Sequence, residues 1–285
     1  MHLVYLNGDY VPKSSAKISV FDRGLLFSDA VYEVISVIDG RLIDMERHVA
    51  RLERSLGELS IDAASDWTAI SQKLVAENDL EEGLIYLQVS RGVMDERDYR
   101  WPAPETPPTI FAFAQDRTLV ANPMADRGMR IITRPDMRWQ RCDIKTTQLL
   151  YASLMKMEAA SAGVDDVWMT QGDLVTEGTS QNAHIITQDG LLVSHQLDRR
   201  VLPGVTRIET LAQAKSLGLT IEERAFSIEE ARNAKEAFVS SSTLLIMPVV
   251  EIDGHRIGDG QPGQCTDKIR QKYLAAVQGA GSTRT

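Results

Sequence analysis

The sequence of 285 residues is poor in cysteine, in long apolar runs and in positive charge. Its two cysteines, Cys142 and Cys265, are too few for a disulfide framework or a four-ligand zinc site, and reduced thiols in the cytoplasm are the simplest interpretation. No stretch approaches about 18 uninterrupted apolar residues, so a membrane-spanning helix is not expected. The first residues, MHLVYLNGDYVP, lack a charged region followed by an apolar core, so we expect no signal peptide.

The charge balance of 31 basic and 40 acidic residues gives a net charge of −9, which argues against a nucleic-acid-binding surface. A local arginine cluster could still bind a small anion. The five histidines are scattered, and no signature of a metal site is present. The stretch GDGQPG at 258–263 matches the dinucleotide pattern G-x-G-x-x-G, but Pro262 interrupts it and too little chain follows for a second strand. We interpret it as a turn before a last short helix.

The first half of the sequence predicts hairpins and helices. Asn7-Gly8 and Asp39-Gly40 lie between alternating apolar residues, as is typical of two-residue hairpin turns. Apolar residues three and four positions apart then predict two helices, whose N-caps we assign to Asp44 and Ser65. A charged, proline-rich stretch at 93–108 separates two further predicted strands, and a loop of this length is often functional.

In the second half, hairpins are predicted at 165–178 and 182–194, and a helix from the Lys145 segment to about Gly163. Because hairpins dominate and helices are interspersed, the sequence predicts an α+β protein. We expect two domains: a small N-terminal α/β domain over 1–120, and a larger C-terminal domain over 121–285 that carries Lys145.

Lys145 has an unusual setting in the stretch RCDIKTTQLL. Its neighbours Ile144 and Leu149 are apolar, and the two threonines that follow it suit a helix N-cap. The positive end of a helix and burial would both favour the neutral amine, the form that a nucleophile or Schiff-base former needs. From these residues alone, a solvated surface lysine, a strand-end lysine and a catalytic amine all remain open.

A set of segments, taken in order and spacing, resembles the fold-type IV transaminases that use pyridoxal 5'-phosphate, and within them the D-amino acid transaminases. The resemblance covers most of the chain and rests on NGDYVP, DRGLLFSDAVYEVI, HVARLERS, RCDIKTTQLL, LVTEGTSQNAHI, LPGVTR and FVSSST. It implies the two-domain fold of the D-amino acid and branched-chain aminotransferases and a homodimer; with the thiols and the missing metal signature noted above, we expect a cytoplasmic protein without a metal.

The resemblance also implies roles for single residues. Lys145 would bind the cofactor covalently and move a proton during catalysis. Glu177 would face the pyridine nitrogen and keep it protonated. The cofactor phosphate would be bound by Arg51, Val205, Thr206, Ser241 and Ser242. Read without the resemblance, Arg51 is one of several arginines on a helix face, Glu177 is a strand-end carboxylate, and the serines are turn residues.

Three further residues would contact the substrate. Alternation along VYEV places Tyr32 on one strand face, where it can be a packing residue or the wall of an active site. Arg97 matches the arginine of an Arg-x-His pair that holds the substrate carboxylate in D-amino acid transaminases, but Tyr99 stands where histidine is expected. Tyrosine can donate a hydrogen bond but cannot supply the charge of an imidazolium, and the neighbouring Arg100 could compensate.

The sequence therefore predicts a transaminase that exchanges amino groups between D-amino acids, of the D-alanine and D-glutamate type, and 2-oxo acids such as pyruvate and 2-oxoglutarate. The mechanism would be ping-pong, with small molecules as its partners. Alternatives are a transaminase of the same fold for branched-chain L-amino acids or (R)-amines, an aminodeoxychorismate lyase, or a binding protein that has lost catalysis.

Overall fold

The structure, a computed structural model, describes residues 2–279. Its contacts divide the chain into two compact units. Unit 1 contains the residues up to Thr118 together with Ile144–Gln148, and unit 2 contains Leu119–Asp143 together with the residues from Leu149 onward.

Unit 1 consists of one antiparallel sheet and three helices. Its elements are β1 (Leu3–Leu6), β2 (Asp9–Pro12), α1 (Arg23–Phe27), β3 (Ala30–Ile38), β4 (Arg41–Leu42), α2 (Met45–Glu58), α3 (Trp67–Glu77), β5 (Gly83–Ser90) and β6 (Thr109–Asp116). The six strands are ordered β2-β1-β6-β5-β3-β4. Asn7 and Asp39 adopt positive φ, followed by Gly8 and Gly40, which confirms the two predicted hairpin turns.

The long strand β3 separates two environments in unit 1. Residues on one face, such as Val31, Ile35 and Val37, are fully buried in the core, whereas Tyr32 and Val34 on the other face are only half-buried. Helix α2 covers the buried face with Leu52 and Leu56, and each such side chain contributes about 1.5–3 kcal/mol by its burial. The predicted alternation of Tyr32 with its neighbours is therefore correct.

Two helix caps of unit 1 differ from the prediction. Asp44 does precede α2, but its backbone is left-handed and its side chain makes no cap hydrogen bond. The cap of α3 is Asp66, not Ser65, because the Asp66 carboxylate accepts a hydrogen bond from the Ala69 N–H at 2.8 Å. Serine and aspartate are both favoured N-cap residues, so composition does not choose between the neighbouring Ser65 and Asp66. Sequence patterns locate helix ends only to within about two residues.

Unit 2 contains five helices and a ten-stranded sheet. Its elements are α4 (Met124–Arg127), β7 (Met129–Pro135), α5 (Leu150–Ser161), β8 (Asp166–Gln171), β9 (Leu174–Gly178), β10 (Asn182–Ile186), β11 (Leu192–Ser194), α6 (Val205–Ser216), β12 (Ile221–Glu223), β13 (Phe226–Ser227), α7 (Ile228–Arg232), β14 (Glu236–Ser241), β15 (Leu245–Ile252), β16 (His255–Arg256) and α8 (Gln264–Gly279). The predicted hairpins at 165–178 and 182–194 correspond to β8-β9 and β10-β11.

The sheet of unit 2 is mixed, with strand order β12-β11-β10-β14-β15-β7-β8-β9-β13 and β16 beside β15. Strand β7 pairs in parallel with both β15 and β8. The turn at GDGQPG, with Gly258 and Gly260 at positive φ, precedes a last helix as predicted, but α8 has 16 residues and is not short. Within the described part of the chain, no helix combines the length and apolar character that crossing a membrane requires.

The segment that carries Lys145 belongs to unit 1 and not to the larger unit. We expected it in a domain over 121–285, but Ile144–Gln148 pairs with β3 and Ile144 joins the apolar core of unit 1. The helix after it, α5, begins only at Leu150. Lys145 therefore does not stand at a helix N-terminus, and the expected influence of the helix dipole on its amine is wrong.

Candidate active site

Backbone hydrogen bonds on both sides hold Lys145 against β3. The Tyr32 N–H donates to the Lys145 carbonyl at 3.0 Å, and the Thr147 N–H donates to the Ala30 carbonyl at 3.1 Å. The Lys145 N–H donates to Ser55 Oγ of α2 at 3.4 Å. These contacts hold the backbone of Lys145, and its side chain is half-buried.

The Lys145 amine lies over an aromatic face of unit 1. Its Nζ is 4.3 Å from the ring centroid of Tyr32, within the range of a cation–π contact. The Tyr32 ring stacks on Tyr86 at 5.4 Å, and burial raises the pKa of the Tyr86 phenol above its ordinary value. Tyr86 in turn stacks on Phe113 at 5.0 Å. Tyr32 and Lys145, both assigned from the sequence, are therefore brought together.

Arg51 lies on the buried face of α2 in an ion pair with Glu33 of β3. Its Nε and Nη2 donate to the two oxygens of Glu33, each at 2.7 Å. The same carboxylate contacts Nδ1 of His48 at 2.6 Å. Arg51 is therefore not one of several solvated arginines: Glu33 orients its guanidinium, and two of its five N–H donors serve that purpose.

Burial and the neighbouring charges shift the pKa values of Glu33 and His48. Burial alone would raise the pKa of Glu33, but Arg51 and His48 outweigh it and lower that pKa to about 2. Burial lowers the pKa of His48, and the nearby Arg51 and Lys145 act in the same direction against the attraction of Glu33. At neutral pH an ionised Glu33 therefore accepts a hydrogen bond from a neutral His48 and pairs with Arg51.

Replacing Glu33 with glutamine is expected to lower the free energy of unfolding by about 3–5 kcal/mol at neutral pH, because it breaks the buried ion pair with Arg51. The carboxylate has a lowered pKa in the folded state, so its contribution is complete above about pH 4.5. The difference between wild type and variant should therefore shrink as the pH falls from there towards about 2. Denaturant unfolding across this pH range measures it, with the exposed Glu53→Gln on the same helix as control. Equal stability of both variants at pH 7 would contradict the assignment.

Arg97 and Tyr99 lie together on the loop between β5 and β6. Arg97 Nη2 donates to the Tyr99 hydroxyl at 3.3 Å, and both side chains contact the ring of Phe27. Tyr99 is 77% exposed, so the pair projects from unit 1 towards solvent. Arg100 pairs with Asp98 at 2.7 Å, so its charge is already engaged by a neighbouring carboxylate.

In unit 2, Glu177 is buried at the end of β9 and accepts hydrogen bonds at both oxygens. Arg138 Nη1 donates to Oε1 at 2.6 Å, and Oε2 accepts from Asn182 Nδ2 and from the Leu202 N–H, each at 3.0 Å. Arg138 is also held by Asp136 at 2.7 Å. The sequence-based alternative of a solvated strand-end carboxylate is therefore wrong for Glu177.

Burial and charge act against each other at Glu177. Burial raises the pKa of its carboxyl, while Arg138 and the Leu202 N–H oppose that rise. At Arg138, burial alone would lower the pKa, but the carboxylates of Glu177 and Asp136 outweigh it and raise it. Arg138, Asn182 and the Leu202 N–H therefore stabilise the ionised form of a carboxyl that burial alone would favour as the neutral acid.

The start of α6 lies next to Glu177. Asn182 donates through Nδ2 to Glu177 and to the carbonyl of Leu202, which comes just before Pro203-Gly204 and the helix. Gly204 is the N-cap, and a Cβ placed there would lie 2.0 Å from Asn182 Oδ1. Only glycine therefore lets this turn approach Asn182. Val205 and Thr206, both buried, form the first turn of the helix, where backbone N–H groups are suited to an anion.

Ser241 and Ser242 lie where β14 ends. Strand β14 pairs with β10, with Ser240 opposite Asn182, and α6 packs against β14. The serines and the start of α6 therefore belong to one region of unit 2. Ser241 Oγ accepts from the Leu244 N–H at 3.1 Å and lies 3.2 Å from the Thr243 hydroxyl, so it also stabilises the turn after the strand.

In each unit, the sequence did not reveal the residues that support the predicted site residues. Glu33 and His48 support Arg51, while Arg138 and Asn182 support Glu177. Glu33 had one local signal, because a charged residue on the apolar face of β3 needs a buried partner. Arg138 lies in an irregular segment 39 residues before Glu177, and local patterns contain no information on such a pair.

The fold of the chain is that of the fold-type IV aminotransferases. It matches the branched-chain aminotransferase from the thermophilic archaeon Thermoproteus uzoniensis, solved with norvaline, with a TM-score of 0.86 at 24% identity, covering 98% of this chain and 95% of that one. It also matches a hypothetical aminotransferase from Mycobacterium tuberculosis in its PLP-bound form, with a TM-score of 0.83 at 20% identity over 98% and 99% of the two chains. The predicted α+β class is confirmed.

The chain belongs to the amino-transferase class IV family, whose model matches residues 30–252. It is 35% identical to the D-alanine aminotransferase of Staphylococcus aureus (strain MSSA476) over 281 residues, which are 98% of this chain and 99% of the relative. The D-alanine aminotransferase of Bacillus licheniformis is 36% identical over 94% of each chain. The resemblance inferred from the sequence is therefore confirmed.

Proposed function

We propose that this protein is a pyridoxal-phosphate-dependent transaminase that exchanges amino groups between D-amino acids and 2-oxo acids. The observation that carries the proposal is the match to D-alanine aminotransferases, which are 33–36% identical to this chain over 94–99% of its length. The D-alanine and D-glutamate type of substrate, with pyruvate and 2-oxoglutarate as the oxo acids, follows from these relatives. The reaction is ping-pong, because one amino group is given up before the next substrate binds.

Lys145 is the catalytic amine in this proposal. Its Nζ would hold the cofactor covalently, and the same amine would act as the general base that moves the proton of the substrate α-carbon. When bound, pyridoxal phosphate supplies an electron sink for the α-carbon. The backbone contacts of Lys145 leave its side chain out of the hydrogen bonds that hold the segment, which supports both roles. A positioned base typically contributes a factor of about 10²–10⁴.

The donors of unit 2 fit the rest of the cofactor chemically. Glu177, a buried carboxylate that accepts from Arg138, Asn182 and the Leu202 N–H, would face the ring nitrogen, and its negative charge would favour the protonated form of that nitrogen. The first N–H groups of α6, at Val205 and Thr206, and the hydroxyls of Ser241 and Ser242 bind the phosphate. Arg51, oriented by Glu33, adds a positive charge for the same phosphate.

We expect Gly204→Ala to weaken the binding of pyridoxal phosphate by at least about tenfold, because the new Cβ would displace Asn182 and with it the start of α6. The ordinary backbone angles of Gly204, with φ −65°, mean that the effect is steric and not conformational. Titration of the apoprotein with the cofactor, followed by absorption, measures it. Gly57→Ala in α2, where a Cβ meets nothing within 4 Å, is the control and should bind normally. Equal affinities for the two variants would refute this role of Gly204.

For the substrate, Tyr32 forms a wall beside the Lys145 amine, and Arg97 with Tyr99 binds the carboxylate. Tyr99 contributes a hydroxyl and no charge, so Arg97 supplies the electrostatic attraction.

We also propose a homodimer in the cytoplasm. The free thiols of Cys142 and Cys265 suit a reducing compartment, and light scattering should give twice the chain mass of 31.7 kDa.

A substrate panel tests the proposed reaction. Purified holoenzyme is given D-alanine, L-alanine, D-glutamate, L-leucine, an (R)-amine or aminodeoxychorismate, each with and without a 2-oxo acid. We expect D-alanine with 2-oxoglutarate to give pyruvate and D-glutamate, and L-alanine to react poorly. Preferred turnover of L-leucine or the (R)-amine would identify a different transaminase. Product release from aminodeoxychorismate without any transfer of nitrogen to the acceptor would identify a lyase, and no turnover at all would leave a binding protein.

A further inference from the structure

Arg23, Asp29 and Arg91 form a buried ion-pair cluster in unit 1, which we call the arginine latch. The carboxylate of Asp29 accepts from Arg23 Nε at 2.7 Å, and from Nε and Nη2 of Arg91 at 2.8 and 3.1 Å. All three side chains are at most 10% exposed. Arg91 also donates to the carbonyls of Leu59 and Ser60, just after α2. The latch is thus firmly attached to the core of unit 1.

The latch also contacts the loop after β5, from Val93 to Trp101. Arg23 Nη1 donates to the carbonyl oxygens of Asp98 and Arg100 at 2.7 and 3.1 Å, and lies 3.1 Å from Met94 Sδ. At the end of the loop, the guanidinium of Arg91 lies 4.0 Å from the ring centroid of Trp101. Two buried cations therefore hold one irregular, mostly exposed segment.

The two carbonyls that accept from Arg23 are those directly before and after Tyr99. Phe27, at the end of α1, adds a side-chain contact: its ring lies 4.5 Å from the Arg23 guanidinium, 4.9 Å from that of Arg97 and 5.4 Å from the ring of Tyr99. Arg23 therefore determines both the backbone on each side of Tyr99 and the surface against which Arg97 packs.

We propose that Arg23 is a positioning residue that fixes the loop carrying Arg97 and Tyr99, and so sets the affinity of the enzyme for the substrate carboxylate. The inference rests on the proposed function, since it assigns the carboxylate to this loop. Hydrogen bonds from a charged donor are stronger than neutral ones, and a buried guanidinium keeps its direction. Lysine cannot replace it, because one ammonium cannot reach Asp29 and both carbonyls with the planar fork of arginine.

The test compares Arg23→Lys with a matched control, Arg54→Lys. Arg54 is an exposed arginine of the same unit that pairs with Glu58 at 3.7 Å, far from the loop in the chain. Two readouts are taken on the holoenzyme: hydrogen exchange of the backbone amides of residues 94–101, and KM and kcat for D-alanine with 2-oxoglutarate. For Arg23→Lys we expect exchange about tenfold faster and KM about tenfold higher, the size expected for loss of one charge-assisted hydrogen bond. The kcat should stay within about twofold, and Arg54→Lys should match wild type.

Unchanged exchange, or faster exchange with an unchanged KM, would overturn the inference. If Arg23→Lys fails to fold, Trp101→Leu tests the same latch from its exposed side, since it removes the ring from Arg91 without touching the buried ion pairs. The same faster exchange and raised KM are expected there. If wild type transfers no amino group, the proposed function fails and the carboxylate role with it; exchange in the variants then still shows whether the latch holds the loop.

Discussion

Replacing Lys145 with alanine is expected to lower kcat for amino-group transfer by about 10⁴-fold or more, because one residue supplies both the covalent attachment and the general base. The fold should survive. The backbone contacts of Lys145 with β3 and Ser55 do not involve its side chain, and the lost contact of Nζ with the Tyr32 ring is worth about 0.5–1 kcal/mol at most sites. Steady-state kinetics with D-alanine and 2-oxoglutarate, and a thermal unfolding curve, measure the two effects.

Lys73→Ala is a matched control for this prediction. Lys73 belongs to the same unit, and its Nζ lies 4.1 Å from the ring of Tyr10, much as Lys145 lies over Tyr32. The control removes a lysine–tyrosine contact of the same kind without removing the proposed catalytic amine, so kcat should be unchanged. A Lys145→Ala enzyme that kept more than about a tenth of wild-type kcat would contradict the assignment of the amine.

The second substitution with a large expected effect is Glu177→Gln. We expect kcat to fall about 10²–10³-fold, with little change in the stability of the fold. Glutamine has the same size, and Arg138 keeps its ion pair with Asp136, so the surroundings remain paired. What is lost is the negative charge of the buried carboxylate, which would favour a protonated ring nitrogen. The electron-withdrawing power of the cofactor then falls.

The comparison for Glu177 is Glu158→Gln in α5. Glu158 also pairs with an arginine of unit 2, Arg134, but it is 39% exposed, and its loss should leave kcat unchanged. Both variants are measured with D-alanine and 2-oxoglutarate at saturating cofactor, which separates chemistry from cofactor affinity. Retention of kcat within about threefold in Glu177→Gln would mean that this carboxylate does not act on the ring.

Local features of the fold were predictable because a few neighbouring residues determine them. The hairpin turns need positive φ, which Asn7-Gly8 and Asp39-Gly40 adopt readily. The start of α7 is equally local: SIEE at 227–230 has the sequence of a capping box, and Ser227 accepts from the Glu230 N–H at 3.0 Å. Alternation along β3 correctly separated the core face from the face of Tyr32.

Features that depend on distant partners were not predictable. Thr146 and Thr147 suit a helix cap by composition, yet their segment pairs with β3, more than 100 residues earlier in the chain, and helix α5 starts later. This pairing also moves Lys145 from the expected second domain into unit 1. Hydrogen bonds between segments so far apart leave no periodic signal in either segment.

In the candidate site, too, the sequence identified single residues but not the distant residues that contact them. Lys145, Glu177 and Arg51 were selected by the order and spacing of short segments, not by their own surroundings, in which a solvated residue was the simpler interpretation. The structure adds what supports each of them: Glu33 beneath Arg51, and Arg138 and Asn182 around Glu177. Most of these supporting residues lie far in the chain from the residue that they contact. Only the burial and the hydrogen bonds of the structure identify them.

The most direct test of Lys145 as the residue that binds the cofactor covalently is chemical. Holoenzyme is reduced with borohydride, which makes a lysine–cofactor bond permanent, and then digested and mapped by mass spectrometry. The account predicts the phosphopyridoxyl label on one peptide, at Lys145 and at no other lysine. A label on a different lysine, or an unlabelled protein after reduction of the fully loaded enzyme, would contradict it.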